Sequence, residues 1–227
     1  MKSIAVLFLL IVFSFSAYAQ KSNFGTGINL GVSVPTGDFD EFYNTGFGGD
    51  AHFLYHLGNQ AIFTLSVGYN LWNLDVDEFN NKASEAGLNW TFDLDSDYKT
   101  LPILIGVKWM LAQSRKGGLY VSLVGGLYNY TFKLKGTAYN TIPNANIPFI
   151  PLPDIEETGT ETMLALGLGY LIKLGKHWYA DLNGNYNIIT NGFAVNEPFN
   201  PEDPDAIYGV KGTLQYVSFL AGINYRF

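Results

Sequence analysis

The chain has 227 residues, of which 48% are hydrophobic and 16% aromatic, a formal charge of −7, and no cysteine. Without thiols there can be no disulfide, no thiolate catalysis and no lipid-modified cysteine anchor. The acidic balance argues against nucleic acid, which demands a basic face, and the length suits one domain.

At the amino terminus Lys2 precedes an apolar run from Ile4 to Phe15, followed by Ser16-Ala17-Tyr18-Ala19-Gln20. A charged start, a short greasy stretch and an Ala-x-Ala site predict a signal peptide over residues 1–19, leaving a single domain over 20–227. The run is too short to cross a bilayer as a helix, which takes about 20 apolar residues. Beyond Gln20 no comparable run occurs, so the remaining hydrophobicity is carried by alternation. A chain that crosses lipid without apolar helices must do so as a closed barrel.

Period-2 reading gives eight strands, roughly Phe24–Val34, Gly46–Leu57, Gln60–Leu74, Tyr98–Leu111, Gly118–Leu134, Thr160–Leu174, His177–Ile189 and Thr213–Phe227. Each reaches the 9 to 11 residues or so that a tilted membrane strand needs. The connections alternate. Residues 35–45, 75–97, 135–159 and 190–212 are long and polar, whereas Gly58-Asn59, Ala112 to Gly117 and Gly175-Lys176 are short turns. Long loops on one side and short turns on the other, with an even strand number, put both termini on the periplasmic side. The fold class is therefore all-β, an eight-stranded antiparallel up-and-down transmembrane barrel.

The first strand sets Phe24, Thr26, Ile28, Leu30, Val32 and Val34 against Gly25, Gly27, Asn29, Gly31 and Ser33. The fifth is irregular, because Leu119, Val121 and Leu123 have the opposite parity to Tyr128, Tyr130 and Phe132; a bulge near Gly125-Gly126 would reconcile them. Trp109, Trp178, Tyr225 and Phe227 near the short turns, and Tyr69, Tyr130 and Phe132 toward the long loops, suit two aromatic girdles. The last strand alternates cleanly, with Leu220 as its one misfit.

Charges placed by their apolar neighbours fall inward: Asp50, Lys108, Glu161, Lys173, Asp181 and Arg226. A soluble barrel with an apolar lumen would invert this. Lys99 points outward, but at the loop end of its strand, where it can snorkel. Eight strands leave a lumen that side chains fill, so Asp50, Lys108, Glu161, Asp181 and Arg226 are expected to form a paired polar core. An ion path is the alternative, but buried charges need partners before they need a task.

His52 and His56 share the inner face of the second strand but stand about 13 Å apart at a rise of about 3.3 Å per residue, too far for one ion. No histidine has a serine two residues away, so a hydrolytic pairing is not signalled. We expect no catalytic, cofactor or metal site. The long loops hold 17 of the 20 acids without EF-hand spacing. The third loop carries an apolar, proline-rich stretch, Ile142 to Pro153, containing Ile147, Phe149, Ile150 and Leu152. It suits a greasy way into the barrel or a partner-docking segment, and self-packing of a long loop fits equally.

On the strength of Leu101–Leu111 (LPILIGVKWML), the glycine-rich Tyr120–Tyr128 strand, Leu166–Tyr170 and Phe219–Phe227, the chain resembles the outer-membrane protein β-barrel domain family, the small eight-stranded group that includes OmpW-like and OmpX-like proteins. The resemblance implies an outer-membrane location in a diderm bacterium and passage through the barrel-assembly machinery. It also implies that Gly222, Tyr225 and Phe227 form the carboxy-terminal assembly signal, with Leu220 where a polar residue is usual. Lipid and lipopolysaccharide are the expected surroundings, with an unidentified extracellular or envelope partner. The expected role is structural or surface-interacting and non-enzymatic. The alternatives are a narrow conduit for small hydrophobic solutes or the barrel anchor of an envelope or secretion complex.

Overall fold

A computed structural model describes residues 23–143, 148–196 and 209–227, with backbone alone at 191–196 and 209–212. The signal segment, Ile147 and the acidic stretch Pro201–Asp205 lie outside the described residues. Eight antiparallel strands follow one another: β1 (Phe24–Thr36), β2 (Gly46–Leu57), β3 (Ala61–Asn73), β4 (Trp90–Gln113), β5 (Gly117–Asn140), β6 (Phe149–Lys173), β7 (Trp178–Asn196) and β8 (Gly209–Arg226). Each pairs with its neighbours in sequence, and β1 pairs with β8 from Gly25↔Arg226 to Thr36↔Gln215, so the sheet closes. Closure lets every strand pair with a neighbour on both sides, the condition for crossing hydrocarbon as strands.

The polarity of the wall is the expected one. Ile28, Leu30, Phe47, Leu65, Ile105, Leu166, Leu182 and Phe219 are exposed on the outside, while Asn29, His52, Ser122, Asp181, Asn187 and Asn224 are buried inside. Trp178 and Tyr225 meet edge to face at 4.8 Å, and Tyr225 and Phe227 at 5.4 Å, in the band beside the short turns. Leu220 faces the lumen, where it lines a cavity among asparagines and serines.

Along β4 to β6 the outward face changes chemistry part-way up. Leu101, Ile103 and Ile105 of β4 give way to Lys99, Asp97, Asp95 and Asp93 on the same parity. On β5, Leu123 and Leu127 give way to Asn129, Thr131, Lys133 and Lys135. The upper charges pair with one another: Lys135 with Asp95 at 2.9 Å, Lys133 with Glu156 at 2.9 Å and Lys99 with Asp97 at 2.5 Å. A wall that is greasy below and ion-paired above marks the edge of the hydrocarbon near Lys99 and Asn129. Leu166→Arg, inside the apolar band, is expected to lower stability by roughly 2–4 kcal/mol, and Thr158→Arg, on the same face of β6 above it, by about 0–1 kcal/mol. Urea titration of the two variants in lipid checks this; equal losses would misplace the boundary.

The strands therefore run further than the sequence reading placed them. Residues 90–97, 135–140 and 149–159, expected in loops, continue β4, β5 and β6 beyond the bilayer. Their polar residues had suggested loops, but the alternation persists, with Phe92, Leu94 and Ser96 inward and Asp93, Asp95 and Asp97 outward. No bulge interrupts β5 at Gly125-Gly126, where pairing runs evenly through Ile105↔Gly125 and Leu104↔Gly126. The parity change in β5 is instead a change in what the inner face carries. Tyr120 and Tyr128 are fully buried inside, and Tyr130 and Phe132 pack against the interior cluster rather than joining a lipid-facing girdle. Register shifts occur at Met110/Ala112, Leu134/Gly136 and Ile189/Phe193.

Helix α1 (Val76–Glu85) lies above the barrel, opened by Asp75, whose side chain accepts from Glu78 N at 3.0 Å. β3 ends at Asn73, leaving the upper part of β4 without a strand on that side. Asn80 of the helix fills the gap: its amide donates to Phe92 O at 2.9 Å and accepts from Phe92 N at 2.7 Å, as a neighbouring strand would. Ala83, Phe92, Leu94 and Ala138 form a small core beneath the helix, and Leu152 packs against it.

Candidate functional site

The lumen is closed at the extracellular end by an aromatic plug. The connection after β1 makes a 3₁₀ turn at Gly37–Phe39 and folds back into the mouth, so that Phe39 and Tyr43 are buried. It is tied down by Asn44 N donating to Asn73 O at 3.0 Å and Asp75 N to Phe42 O at 2.8 Å. Phe39 meets Tyr43 at 4.6 Å and Trp72 at 5.5 Å, and Trp72 meets Tyr216 at 5.0 Å, the latter two edge to face. Tyr98, Tyr128, Ile189 and Leu214 complete the cluster. The Trp72 indole donates to Ser33 O at 3.1 Å, so its one polar atom is satisfied inside the plug. Outside, Lys82 of α1 reaches Glu41 at 2.8 Å, and this hydrogen bond raises the ammonium pKa above its usual value.

Toward the periplasm a chain of charge-assisted hydrogen bonds crosses the lumen. Lys108 of β4 meets Asp181 of β7 at 2.5 Å, and Tyr120 of β5 donates to the other oxygen of Asp181 at 2.7 Å. Asn224 of β8 donates to Asp181 at 3.3 Å and turns its carbonyl to His52 Nε2 at 2.7 Å. His52 Nδ1 meets Asp50 at 2.6 Å, and Asn29 donates to Asp50 at 3.0 Å. With the Asn224 amide oriented by Asp181, both ring nitrogens of His52 face acceptor oxygens. The Lys108 ammonium also stands 4.8 Å from the centre of the Tyr120 ring. Six of the eight strands supply this network. It passes over β1 at Gly27, where a Cβ would collide with the Asn224 carbonyl and the His52 ring, so only glycine leaves room.

The network separates two cavities. Above it, a polar space of about 100 Å³ lies among Asn29, Asp50, Ser66, Asn185 and Ser218, below the plug. Beneath it, a cavity of about 240 Å³ lies at the periplasmic end, with Lys108 and Asn224 in its wall.

The five charges expected to pair inside do so only in part. Lys108 and Asp181 meet directly, and Asp50 joins them through His52 and Asn224. Glu161 sits on the inner parity of β6, opposite Tyr128 and half-exposed, with no salt bridge among the described residues. Arg226 lines the periplasmic cavity, likewise without a carboxylate within ion-pair distance among the described residues. The two are at opposite ends of the barrel, so they cannot meet. Asn29, Tyr120 and Asn224 were missed by charge-based reading, though their inward parity was visible. Gly222 faces the lumen against Asn29, while Tyr225 and Phe227 belong to the aromatic band. Phe149 is exposed on the outer face of the β5–β6 hairpin, while Ile150 and Leu152 lie on its inner side, Leu152 against the small core beneath α1. Among the described residues no three metal-binding side chains cluster.

A closed eight-stranded antiparallel ring, apolar outside and polar within, defines a transmembrane β-barrel of the outer-membrane type. The sequence profile of the outer membrane protein beta-barrel domain matches residues 5–227, and the chain belongs to that family. Similar solved structures include Neisserial surface protein A, 11% identical, with 91% of this chain and 98% of that one covered and a TM-score of 0.48. Ail of Yersinia pestis, solved with the heparin analogue sucrose octasulfate, is 15% identical over 91% and 97%, with a TM-score of 0.45. A major outer membrane protein of Thermus thermophilus is 16% identical over 92% and 100%, with a TM-score of 0.41. No curated protein matches the sequence.

Proposed function

We propose that this outer-membrane barrel is a non-enzymatic structural element that presents a rigid surface to the outside, not a conduit. The observation that carries this reading is the double obstruction of the lumen. Phe39, Tyr43, Trp72 and Tyr216 fill its outer end, and the Asp50–His52–Asn224–Asp181–Lys108 chain crosses it further in. Solute passage would require both to open, breaking a packed aromatic core and a buried ion pair together. Meanwhile β4, β5 and β6 carry ordered sheet beyond the apolar band, and α1 is fastened to them through Asn80 and Lys82. An extended, ion-paired platform of this kind is suited to contact with other surface molecules.

The purified protein in planar bilayers is expected to give conductance at background and no swelling of solute-loaded liposomes. Steady single-channel currents from the folded, heat-modifiable species would instead favour the conduit.

A further inference from the structure

The two ends of the barrel differ sharply in charge. Among the described residues every acidic side chain lies in the extracellular connections and strand extensions or on the inner wall, and none lies in the short turns. The periplasmic end carries Arg115, Lys116, Lys173, Lys176 and Arg226. Several of these converge on the cavity of about 240 Å³. Its wall includes His56, Lys108, Arg115, Lys173 and Arg226, and no aspartate or glutamate. Lys108 is neutralised by Asp181 in the roof. Arg115, Lys173 and Arg226 have no carboxylate within 4.0 Å among the described residues. Asn224 and Tyr179 add polar side chains, and Leu54, Ile62 and Leu171 give a low-dielectric back wall.

Three uncompensated cations around one partly enclosed space repel one another, and an apolar back wall weakens the screening that water and salt provide. A multivalent oxyanion relieves that repulsion and accepts forked hydrogen bonds from the guanidinium groups. We propose that the periplasmic mouth of the barrel is a binding site for a phosphoryl group carried on a small molecule or a lipid headgroup. The cavity falls just short of the roughly 300 Å³ at which drug-sized pockets begin. It suits a phosphoryl group with a short substituent rather than a nucleotide. This inference stands apart from the proposed surface role, since it concerns the opposite end of the barrel.

The test uses the full folded barrel in micelles of an uncharged maltoside detergent, which carries no phosphate, with glycerol 3-phosphate as probe and glycerol as its neutral counterpart. Calorimetric titration at about 0.15 M salt, where exposed charges are largely screened beyond about 8 Å, is expected to show saturable binding of the phosphate and none of glycerol. Arg226→Gln and Lys173→Gln should each weaken it about tenfold, the effect of one lost charge-assisted contact. Lys133→Gln, on the extracellular extension, should leave it unchanged. Heat-modifiable gel mobility verifies that each variant is folded, and Lys173→Gln, at an exposed strand end, serves if Arg226→Gln fails to fold. Nanodiscs containing phosphatidylglycerol separate the two sources. Loss of the soluble probe's binding there, together with cross-linking of Lys173 to the lipid headgroup, assigns the site to a headgroup; undiminished binding assigns it to a soluble phosphate. Absence of saturable binding in the phosphate-free micelles, or wild-type affinity in both folded variants, overturns the proposal.

Discussion

Lys108→Met is expected to destabilise the barrel by about 3–5 kcal/mol, because it leaves the Asp181 carboxylate buried without its cation. Asp181 is 0% exposed and the Lys108 side chain 11%, so the carboxylate keeps only Tyr120 and Asn224 as donors in a buried setting. The loss should propagate, since Asp181 also orients Asn224, and Asn224 in turn holds His52. Lys108→Met with Asp181→Leu removes both charges and should recover most of the stability, since a buried ion pair and an apolar pair of similar volume are often close in energy. Urea titration in detergent micelles, followed by tryptophan fluorescence, measures both. If the single variant lost less than about 1 kcal/mol, or the double variant lost as much as the single, the pair would not behave as a buried ion pair.

Trp72→Ala is the second large effect. Trp72 is fully buried at the centre of the plug, in edge contact with Phe39 and Tyr216 and hydrogen-bonded to Ser33 O. Truncating a buried tryptophan costs about 3–5 kcal/mol through lost contacts and the void left behind. The functional consequence is more diagnostic than the stability. With the plug opened and the inner network intact, the polar cavity below becomes accessible from outside while the barrel stays non-conducting. The chain has no cysteine, so Ser66→Cys, on that cavity wall, introduces a single thiol. An impermeant thiol reagent added from outside should label Ser66→Cys only in the Trp72→Ala background, with conductance at background in both. Labelling without Trp72→Ala would show that the plug does not seal. Conductance with Trp72→Ala alone would show that the network is no barrier.

The pattern on the wall of this barrel was legible residue by residue. In a strand the side-chain period is two, and that local rule assigned Leu166 outward and Gly167 inward without knowledge of any other strand. Where the reading went astray, the environment of a face changed while the period did not. Asp93, Asp95 and Asp97 looked like loop because the outward face had left lipid for water. Tyr128, Tyr130 and Phe132 looked like a parity break because the inner face had passed from polar network to aromatic plug. Polarity along a strand reports what surrounds it as well as which way it points, and a linear reading cannot separate the two.

The sequence by itself determined the number of strands, their alternation, the sidedness of long and short connections and the inward placement of Asp50, Lys108, Glu161, Asp181 and Arg226. Those follow from short-range geometry and from the cost of charge in hydrocarbon. Only closure decided who meets whom. Lys108 and Asp181 stand 73 positions apart and His52 and Asn224 172 apart, and neither pair sits on adjacent strands. They touch because eight strands curl into a ring so narrow that inner side chains reach across it. The same closure leaves Glu161 and Arg226 at opposite ends, since height along the axis depends on the register summed around the whole sheet.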